Sequence, residues 1–475
     1  MENSWYRWGS QDRQTWYGSQ YQFWYWVNTR DMKNWVCLAW WVKSTRTYDG
    51  KATYFVYNWK LYALTSSWKV IDTSDWTTKI SWLTWWWLLK NQYAYQFGNW
   101  VFCALWNKIR VVIWSWSTWT KVDVTPTWFN NITCMLNYAN TFMLFWDGNK
   151  LWRFDYSMWT YVAEMFKQIR KFDSWYVIYW LSLEWNYLKI YTSDWKNTKI
   201  HYAKWTFDVE ESWLVQTISF KWMWLMENRV ASDQWRDYVL FDIWNDLKLS
   251  KISWYNKTDI KWTQRFWSAA DVWNFFSVNY PYVHASDWVL FVWTDEWIWT
   301  FTEYNWWLWW WCLEFPSSNW EQISCIFRYN EELYVCYVWT NSYTEKVFDL
   351  SFQPTVYQST WYIIWRVFDW WCGSLFKKNI QTTITYKMPT NTSMELSYRY
   401  DRKTYWYSKS NFKSVKIMSD TTTCYDIIVP TTDNDFNMPR NYIEYRIDLN
   451  TSSTSKSPIL FEHNLLYNDS MRKYR

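Results

Sequence analysis

The chain has 475 residues, of which 49 are Lys or Arg and 44 are Asp or Glu, giving a formal net charge of +5. The charges are spread along the chain without a block of Lys and Arg, which argues against a nucleic-acid-binding arm. The length suggests two or three domains, or one large repeat domain with an appendage.

The first 30 residues are polar and aromatic, without the basic segment and apolar segment that mark a secretory signal peptide. The most apolar stretch, residues 175–191, contains Glu184, Asn186 and Lys189 and is therefore a poor membrane span. We expect neither an export signal nor a membrane-spanning helix. Residues 1–45 are predicted to be an N-terminal segment that closes onto the next domain.

Short runs of β-branched and aromatic residues recur between turn residues, whereas hardly any segment shows the period of an amphipathic helix. The sequence therefore predicts an all-β protein. Seven of the runs have the pattern of a strand, a tight turn and a second strand: 54–64, 101–113, 142–154, 176–191, 238–252, 282–294 and 325–340.

The hairpins recur at the interval of a propeller blade, which is about 40 to 50 residues. The first apolar residues after the turns are separated by 48, 42, 37, 59, 43 and 43 residues. We predict a β-propeller of about seven blades over residues 46–360; a parallel β-solenoid or stacked sandwiches are the alternative. The residues used as markers are Leu61, Ile109, Leu151, Leu188, Leu247, Leu290 and Leu333.

A second repeat follows two of these hairpins. "TSDWTTKI" (73–80) returns as "TSDWKNTKI" (192–200), and each copy is predicted to form a turn that leads into another strand. These turns resemble the Asp-box of sialidase propellers, whose Ser, Asp and Gly stabilise a hairpin turn. Because that box is structural, the resemblance implies a fold and no activity.

The composition changes after Trp371, beyond which the only Trp is Trp406 and the only Gly is Gly373. About six antiparallel strands are predicted there, which is enough for a jelly-roll-like β-sandwich over residues 361–475. In one predicted strand the side chains alternate, with Ile443, Tyr445, Ile447 and Leu449 on one face and Glu444, Arg446 and Asp448 on the other.

Tryptophan is in great excess, with 54 Trp against 6 Gly, where an ordinary chain has about 7% Gly. The stretch "YNWWLWWWCLEFP" (304–316) places five Trp in six positions, and a similar run lies at 81–91. Many other Trp follow Asn, Asp or Ser at places where a hairpin turn requires positive φ and ordinarily carries Gly. These pairs are Asn58-Trp59, Ser67-Trp68, Asp75-Trp76, Asn99-Trp100, Asp194-Trp195, Asp287-Trp288, Asn305-Trp306 and Asp369-Trp370.

The hypothesis that follows is that the gene uses a code in which UGA means glycine, so that most of the printed Trp are Gly in the natural protein. The runs Trp85–Trp87 and Trp309–Trp311 are then interpreted as glycine-rich connections between hairpins. The alternative is a chain that is truly rich in tryptophan.

Residues of catalytic type do not form a recognisable motif. The eight Cys are dispersed without a CxxC pair, so buried thiols are favoured over disulfides. Of the three histidines, His463 lies in a strand pattern, and Ser115 lacks the strand-to-helix turn and His partner of a nucleophile elbow. The tryptophan runs are not phosphate loops, and no carboxylate pair stands out for glycoside hydrolysis. We predict no catalytic residues, no cofactor and no metal site.

Two stretches carry a resemblance to a known class of proteins. Residues 23–44, "FWYWVNTRDMKNWVCLAWWVKS", resemble the opening of propeller-like structural proteins of tailed phages when their Trp are read as Gly. Residues 368–380 and 442–469 resemble the sandwich domain that follows the propeller in such proteins. A recoded gene fits this resemblance, since phages of recoded hosts generally share the host code.

The resemblance implies a non-enzymatic virion protein of the neck or tail region, made in the host cytoplasm. Its expected partners are other virion proteins and further copies of itself, with a host surface glycan as a further candidate. Nucleic acid is not expected as a partner. Two other functions stay open, a cell-surface adhesin or glycan-binding propeller, and thirdly a glycoside-cleaving propeller.

Overall fold

The prediction of an all-β protein is confirmed, because antiparallel strands make up nearly all of the regular structure among the described residues. A 3₁₀ helix spans Lys409–Asn411. The computed structural model describes residues 23–27, 29–32, 35–38, 42–67, 69–81, 92–105, 108–115, 118–129, 132–138, 142–155, 166–185, 187–204, 213–226, 228–233, 236–243, 246–253, 255–259, 282–294, 297–304, 308–316, 322–339, 342–350, 357, 359–367, 375–399, 409–419, 423–428 and 443–471.

The described strands form nine sheets, seven with four strands and two with five. The chain begins with β1 (Phe23–Val27), β2 (Thr29–Met32), β3 (Trp35–Leu38) and β4 (Val42–Tyr48). Sheet 1 then contains β5 (Ala52–Tyr57), β6 (Lys60–Thr65), β7 (Val70–Asp72) and β8 (Thr78–Ile80). Sheet 2 contains β9 (Gln92–Phe97), β10 (Trp100–Leu105), β11 (Lys108–Ser115) and β12 (Thr118–Asp123).

Sheets 3 to 5 repeat this order of four consecutive strands. Sheet 3 contains β13 (Ile132–Tyr138), β14 (Phe142–Asp147), β15 (Lys150–Asp155) and β16 (Phe166–Lys171). Sheet 4 contains β17 (Val177–Glu184), β18 (Tyr187–Ser193), β19 (Asn197–Lys204) and β20 (Trp213–Lys221). Sheet 5 contains β21 (Val230–Asp233), β22 (Arg236–Ile243), β23 (Asp246–Ser253) and β24 (Asn256–Asp259).

Sheet 7 differs from the others because it takes its last strand from the beginning of the chain. Sheet 6 contains β25 (Tyr282–Ser286), β26 (Val289–Thr294), β27 (Trp297–Tyr304) and β28 (Leu308–Pro316). Sheet 7 contains β29 (Gln322–Tyr329), β30 (Glu332–Trp339), β31 (Ser342–Asp349) and then β4, with Tyr343 opposite Tyr48 and Phe348 opposite Val42.

The seven four-stranded sheets form a closed ring. The first strand of each sheet contacts the first strand of the next, from β5 through β9, β13, β17, β21 and β25 to β29, and β29 contacts β5 again. Radial repetition of four-stranded sheets around a centre is the architecture of a β-propeller. The propeller prediction is therefore supported by the topology of the sheets themselves.

All seven predicted hairpins are observed as antiparallel strand pairs. The predicted intervals were uneven because some markers, such as Leu61, follow the first turn of a sheet, whereas others, such as Ile109, follow the second. Measured between first strands, the intervals are 40, 40, 45, 53, 52 and 40 residues.

The remaining strands belong to two five-stranded sheets. These strands are β32 (Thr360–Val367), β33 (Leu375–Lys387), β34 (Thr392–Arg399), β35 (Lys413–Met418), β36 (Thr423–Ile428), β37 (Ile443–Thr451) and β38 (Ile459–Met471). One sheet has the order β1-β32-β37-β34-β35 and the other the order β2-β3-β38-β33-β36. Strands β1 to β3 from the predicted N-terminal segment thus pair with C-terminal strands, and only β4 joins the ring.

Strand β37 alternates as predicted, and both of its faces are covered. Tyr445 and Ile447 are buried on one face, and Arg446 and Asp448 are buried on the other. The Arg446 guanidinium donates hydrogen bonds to the Asp448 carboxylate at 2.5 to 3.0 Å and lies 3.8 Å from the centroid of the Tyr362 ring. The charged pair is stable there because each buried charge has a partner.

The interpretation of Trp309–Trp311 as a connection between hairpins is wrong. These residues lie within β28 and pair with Phe301, Thr302 and Glu303 of β27. Strand pairing uses the backbone N–H and C=O groups, so three identical residues in a row can occupy a strand whatever their side chains. The corresponding run Trp85–Trp87 lies outside the described residues.

Apolar clusters fill the spaces between neighbouring sheets. Leu64 of sheet 1 packs with Val101 of sheet 2, and Phe102 of sheet 2 packs with Phe145 of sheet 3. Successive residues of a strand point to opposite faces, and sheets 1, 2, 3, 4 and 7 each contribute to two of these clusters. The core is therefore divided into layers around the ring.

Several turns have the left-handed backbone that the sequence suggested. Trp59, Trp76 and Trp288 have φ of 61°, 60° and 67°, and Trp185 and Trp222 have φ of 54° and 62°. Trp100 and Trp195 are not among the positive-φ residues, which differs from the expectation.

The two exceptions have local reasons. Before Trp100 the turn is made by Gly98, whose φ is 58°. Beside Trp195 the Asp194 carboxylate accepts hydrogen bonds from the backbone N–H of Lys196 and of Asn197, which closes the turn without a left-handed residue. Trp68, Trp306 and Trp370 lie outside the described residues.

Sheets 4 and 5 are joined by a buried charge network. The Lys189 ammonium lies 3.0 Å from the Glu184 carboxylate and 2.6 Å from the Asp237 carboxylate, and all three side chains are buried. Ser182 and Tyr191 also donate hydrogen bonds to Asp237. The network links β17 and β18 of one sheet to β22 of the next.

We expect Lys189→Met to lower the free energy of unfolding by about 3–5 kcal/mol, because it leaves two buried carboxylates without their countercharge. The exposed Lys204 on β19 is a matched control, and Lys204→Met should change stability by less than about 0.5 kcal/mol. Urea unfolding of the three proteins measures the difference. Equal losses in both variants would contradict the assigned role of the network.

Candidate functional site

A cavity of about 430 Å³ lies at the centre of the ring. Its described lining comes from the first strands of six of the seven sheets, β5, β9, β17, β21, β25 and β29. Lys51 and Asn228 line it just before β5 and β21 begin. Its volume falls within the range of about 300–1,000 Å³ that is typical of small-molecule sites.

His284 is the histidine in the described lining of the cavity. Its Nε2 accepts a hydrogen bond from the backbone N–H of Arg328 at 3.1 Å, and the ring lies against Phe291 and Phe327. Burial, together with the positive charge of Arg328, lowers the pKa of His284 to about 4. The ring is therefore neutral at pH 7, and because Nε2 is the acceptor, Nδ1 carries the proton.

Cys325 is a poor nucleophile in this setting. Its thiol is buried, the Tyr282 hydroxyl donates a hydrogen bond to it at 3.6 Å, and burial raises its pKa. The opposite residue on β30, Cys336, is also buried and free, and burial raises its pKa to about 12. Since the thiolate is the reactive form, these thiols serve as packing groups at neutral pH. Cys103 and Cys134 are likewise buried and free, as the sequence suggested.

One wall of the cavity is held by a buried carboxylate. Glu345 on β31 accepts hydrogen bonds from the hydroxyls of Tyr48 at 2.7 Å and of Tyr54 at 2.6 Å. Tyr48 belongs to the closing strand β4, and Tyr54 belongs to β5 and lines the cavity. Burial raises the pKa of Glu345, against the opposing effect of the two tyrosine hydrogen bonds. This contact fixes the junction between sheet 7 and sheet 1.

The other residues considered from the sequence have structural surroundings. His201 is hydrogen-bonded on both ring nitrogens, to Thr192 and Thr217 at 3.0 Å each. His463 lies in β38 opposite Ile384. Ser115 ends β11, and its side chain lies outside the described part of the structure. The three residues lie in three different sheets.

The described part of the chain shows no cluster of three or more His, Cys, Asp or Glu side chains that could hold a metal ion. Within it, no helix has the length and apolarity needed to cross a bilayer. The described lining of the cavity also contains no carboxylate. A glycosidase site requires a pair of them, so this cavity gives no support to the glycoside-cleaving alternative.

Comparison with solved structures finds β-propellers. The Swd1 β-propeller domain from Myceliophteria thermophila is similar at 12% identity and a TM-score of 0.36, over 69% of this chain and 99% of that one. BamB from Moraxella catarrhalis is similar at 9% identity and a TM-score of 0.40, over 68% of this chain and 96% of that one. Identities and scores this low do not extend to a shared function. No protein-family model and no curated protein matches the sequence.

We expect the stability of Glu345→Gln, relative to the unaltered protein, to rise as the pH rises above 4.5. A carboxyl whose pKa is raised in the folded state favours folding at low pH, and that contribution is lost as the pH rises through the folded-state pKa. Glutamine does not ionise, so the stability of the variant does not fall in this way as the pH rises. Urea unfolding from pH 4.5 to 8 measures the difference in the free energy of unfolding between the variant and the unaltered protein. Glu331→Gln, at an exposed position, is the control. A difference independent of pH for Glu345→Gln would contradict the assignment.

Proposed function

We propose that the chain is a non-enzymatic structural protein of a phage virion, located in the neck or tail region, where it acts as an assembly or host-contact scaffold. In this proposal the seven four-stranded sheets are the blades of a seven-bladed propeller, and the two five-stranded sheets form a β-sandwich. The proposal extends the resemblance of residues 23–44, 368–380 and 442–469 to structural proteins of tailed phages.

The observation that carries the scaffold role is the way the early strands are used. Strand β4 completes sheet 7, while β1 to β3 pair with strands from residues 360–471. Backbone pairing therefore fastens the first described strands to the last ones, as suits a scaffold that must keep its shape. The occupied Nε2 of His284, which accepts the Arg328 N–H, and the raised pKa of the buried thiols support a role without catalysis.

We expect tryptic peptides of the chain in density-purified virus particles, together with peptides of capsid proteins. Peptides 52–60 ("ATYFVYNWK") and 190–196 ("IYTSDWK") are suitable, because each follows a Lys and ends in one. Mass spectrometry of the particle fraction and of the cell fraction measures the distribution. Peptides confined to the cell fraction would overturn the virion role.

Glycan binding is a second candidate function, favoured by the central cavity. The lining combines aromatic rings such as Phe55 and Phe327 with neutral polar groups such as those of Gln96 and Ser324. Sites for uncharged polar ligands have this mixture of apolar wall and a few oriented hydrogen-bonding groups. This candidate is compatible with host contact by a virion protein.

We further propose that many of the printed tryptophans are glycines in the natural protein. The turns after the first strand of sheets 2 and 4 support this, since Gly98-Asn99 in one corresponds to Trp185-Asn186 in the other. Gly98 has φ of 58° and Trp185 has φ of 54°, and the Trp185 side chain is 72% exposed. A large residue at positive φ is strained and gains little here from burial.

We expect Trp59→Gly to raise the free energy of unfolding by about 1 kcal/mol, because it removes strain at φ of 61° from a side chain that is 91% exposed. Trp195 is the matched control, since it is 90% exposed without a positive φ. Trp195→Gly should be neutral or destabilising by up to about 1 kcal/mol. Thermal and urea unfolding measure both changes.

A stabilisation of equal size at Trp195 would contradict the role of backbone strain.

The mass of peptide 52–60 from native particles tests the genetic code directly. Its mass should correspond to Gly at position 59. A mass that corresponds to Trp would overturn the proposed reading of that codon.

A further inference from the structure

The cavity is bordered by edge strands. In each of the six sheets that line it, the lining strand is at the edge of its sheet. Some groups of these edges already have partners in the protein, since the Val283 N–H donates to the Asn228 carbonyl and the Arg328 N–H donates to His284 Nε2, at 3.1 Å each. A free edge presents alternating backbone N–H donors and C=O acceptors, which require partners when they are removed from bulk water. A ligand with hydroxyl groups satisfies both kinds, because each hydroxyl donates and accepts, whereas a carboxylate or phosphate only accepts.

His284 adds a fixed donor to this lining. Its Nε2 is occupied by the backbone N–H of Arg328, and its Nδ1–H has no hydrogen-bond partner among the described residues. Phe291 and Phe327 flank the ring, with centroid distances of 6.5 and 5.6 Å, and hold its orientation. A neutral N–H group held in this way suits a hydroxyl or carbonyl oxygen of a ligand.

The charge of the lining also selects against a strongly charged ligand. Lys51, just before β5, carries the one formal charge among the described lining residues at neutral pH, and its side chain is exposed. The remaining polar side chains, including Gln96 and Ser324, are neutral. A buried charge on the ligand would therefore lack a buried countercharge, which is costly.

We propose that the central cavity binds a small neutral molecule rich in hydroxyl groups, of the size of a monosaccharide, with the Nδ1–H of His284 donating to one of its oxygens. The proposal specifies a ligand class for the second candidate function. It does not depend on the virion role. Mass spectrometry of virus particles tests that role and the sugar titration tests the cavity, so either can fail without the other.

Selective labelling tests the proposal on the unaltered protein. The chain has three histidines, so a protein labelled with ¹⁵N-histidine gives few imidazole signals. Titration with D-glucose, D-galactose, D-mannose and N-acetyl-D-glucosamine should shift the His284 signals, with a dissociation constant on the order of 1 mM for at least one sugar. The His201 signals should stay unchanged and serve as the internal control.

Two variants define the site and the charge of the ligand. His284→Phe should weaken binding at least tenfold, while His201→Phe should not, with circular dichroism used to check folding of both. D-Glucuronate should bind more weakly than the neutral sugar, both to the unaltered protein and to Lys51→Gln.

Three results would overturn the proposal. The first is the absence of any His284 shift up to 100 mM of each neutral sugar, which would indicate a cavity that holds only water. The second is preferential binding of glucuronate that disappears in Lys51→Gln, which would indicate an anion site at the mouth of the cavity. The third is sugar binding that persists unchanged in His284→Phe.

Discussion

The pairing of β4 with β31 is the constraint on which the ring depends. It joins residues 42–48 to residues 342–349, so nearly 300 residues lie between the two partners. The entropy cost of closing a long segment grows only slowly with its length, and each sheet reduces the effective length by folding locally. Once β4 pairs with β31, each four-stranded sheet has a neighbour on both faces. Without β4, sheet 7 lacks its outer strand, and Glu345 loses its hydrogen bond from the Tyr48 hydroxyl.

Two buried polar junctions define how neighbouring sheets meet. Between sheets 4 and 5, Lys189 lies between Glu184 and Asp237; between sheets 7 and 1, Glu345 joins Tyr48 and Tyr54. Apolar contacts alone tolerate small sliding, whereas a buried charge is stable only in the arrangement that satisfies it. The two polar junctions therefore specify how sheet 4 meets sheet 5 and how sheet 7 meets sheet 1, and the apolar clusters between sheets supply most of the stability of the ring.

Local patterns predicted the strands and hairpins well, because alternation and turn residues act over about ten residues. The blade interval was also visible, although Leu61 and Ile109 follow different turns of their sheets. Pairing across the chain was beyond such patterns: nothing in residues 23–38 indicates that β1 to β3 join C-terminal strands. Likewise, His284 lies in an ordinary strand pattern, and the contact of its Nε2 with the Arg328 N–H, which leaves the proton on Nδ1, depends on pairing between sheets that the sequence pattern does not indicate.

The tryptophan runs illustrate how composition and backbone carry different information. Composition favours a flexible connection at Trp309–Trp311 if the three are glycines, yet backbone pairing with β27 places them in a strand. At Trp59 and Trp185 the backbone itself has the left-handed shape that favours glycine, and both side chains extend into solvent. Trp146 is different, since it is buried, and its indole N–H donates a hydrogen bond to the carbonyl of Gly148 at 2.8 Å. Backbone conformation and burial therefore separate the positions that favour glycine from those, such as Trp146, at which a tryptophan is well accommodated.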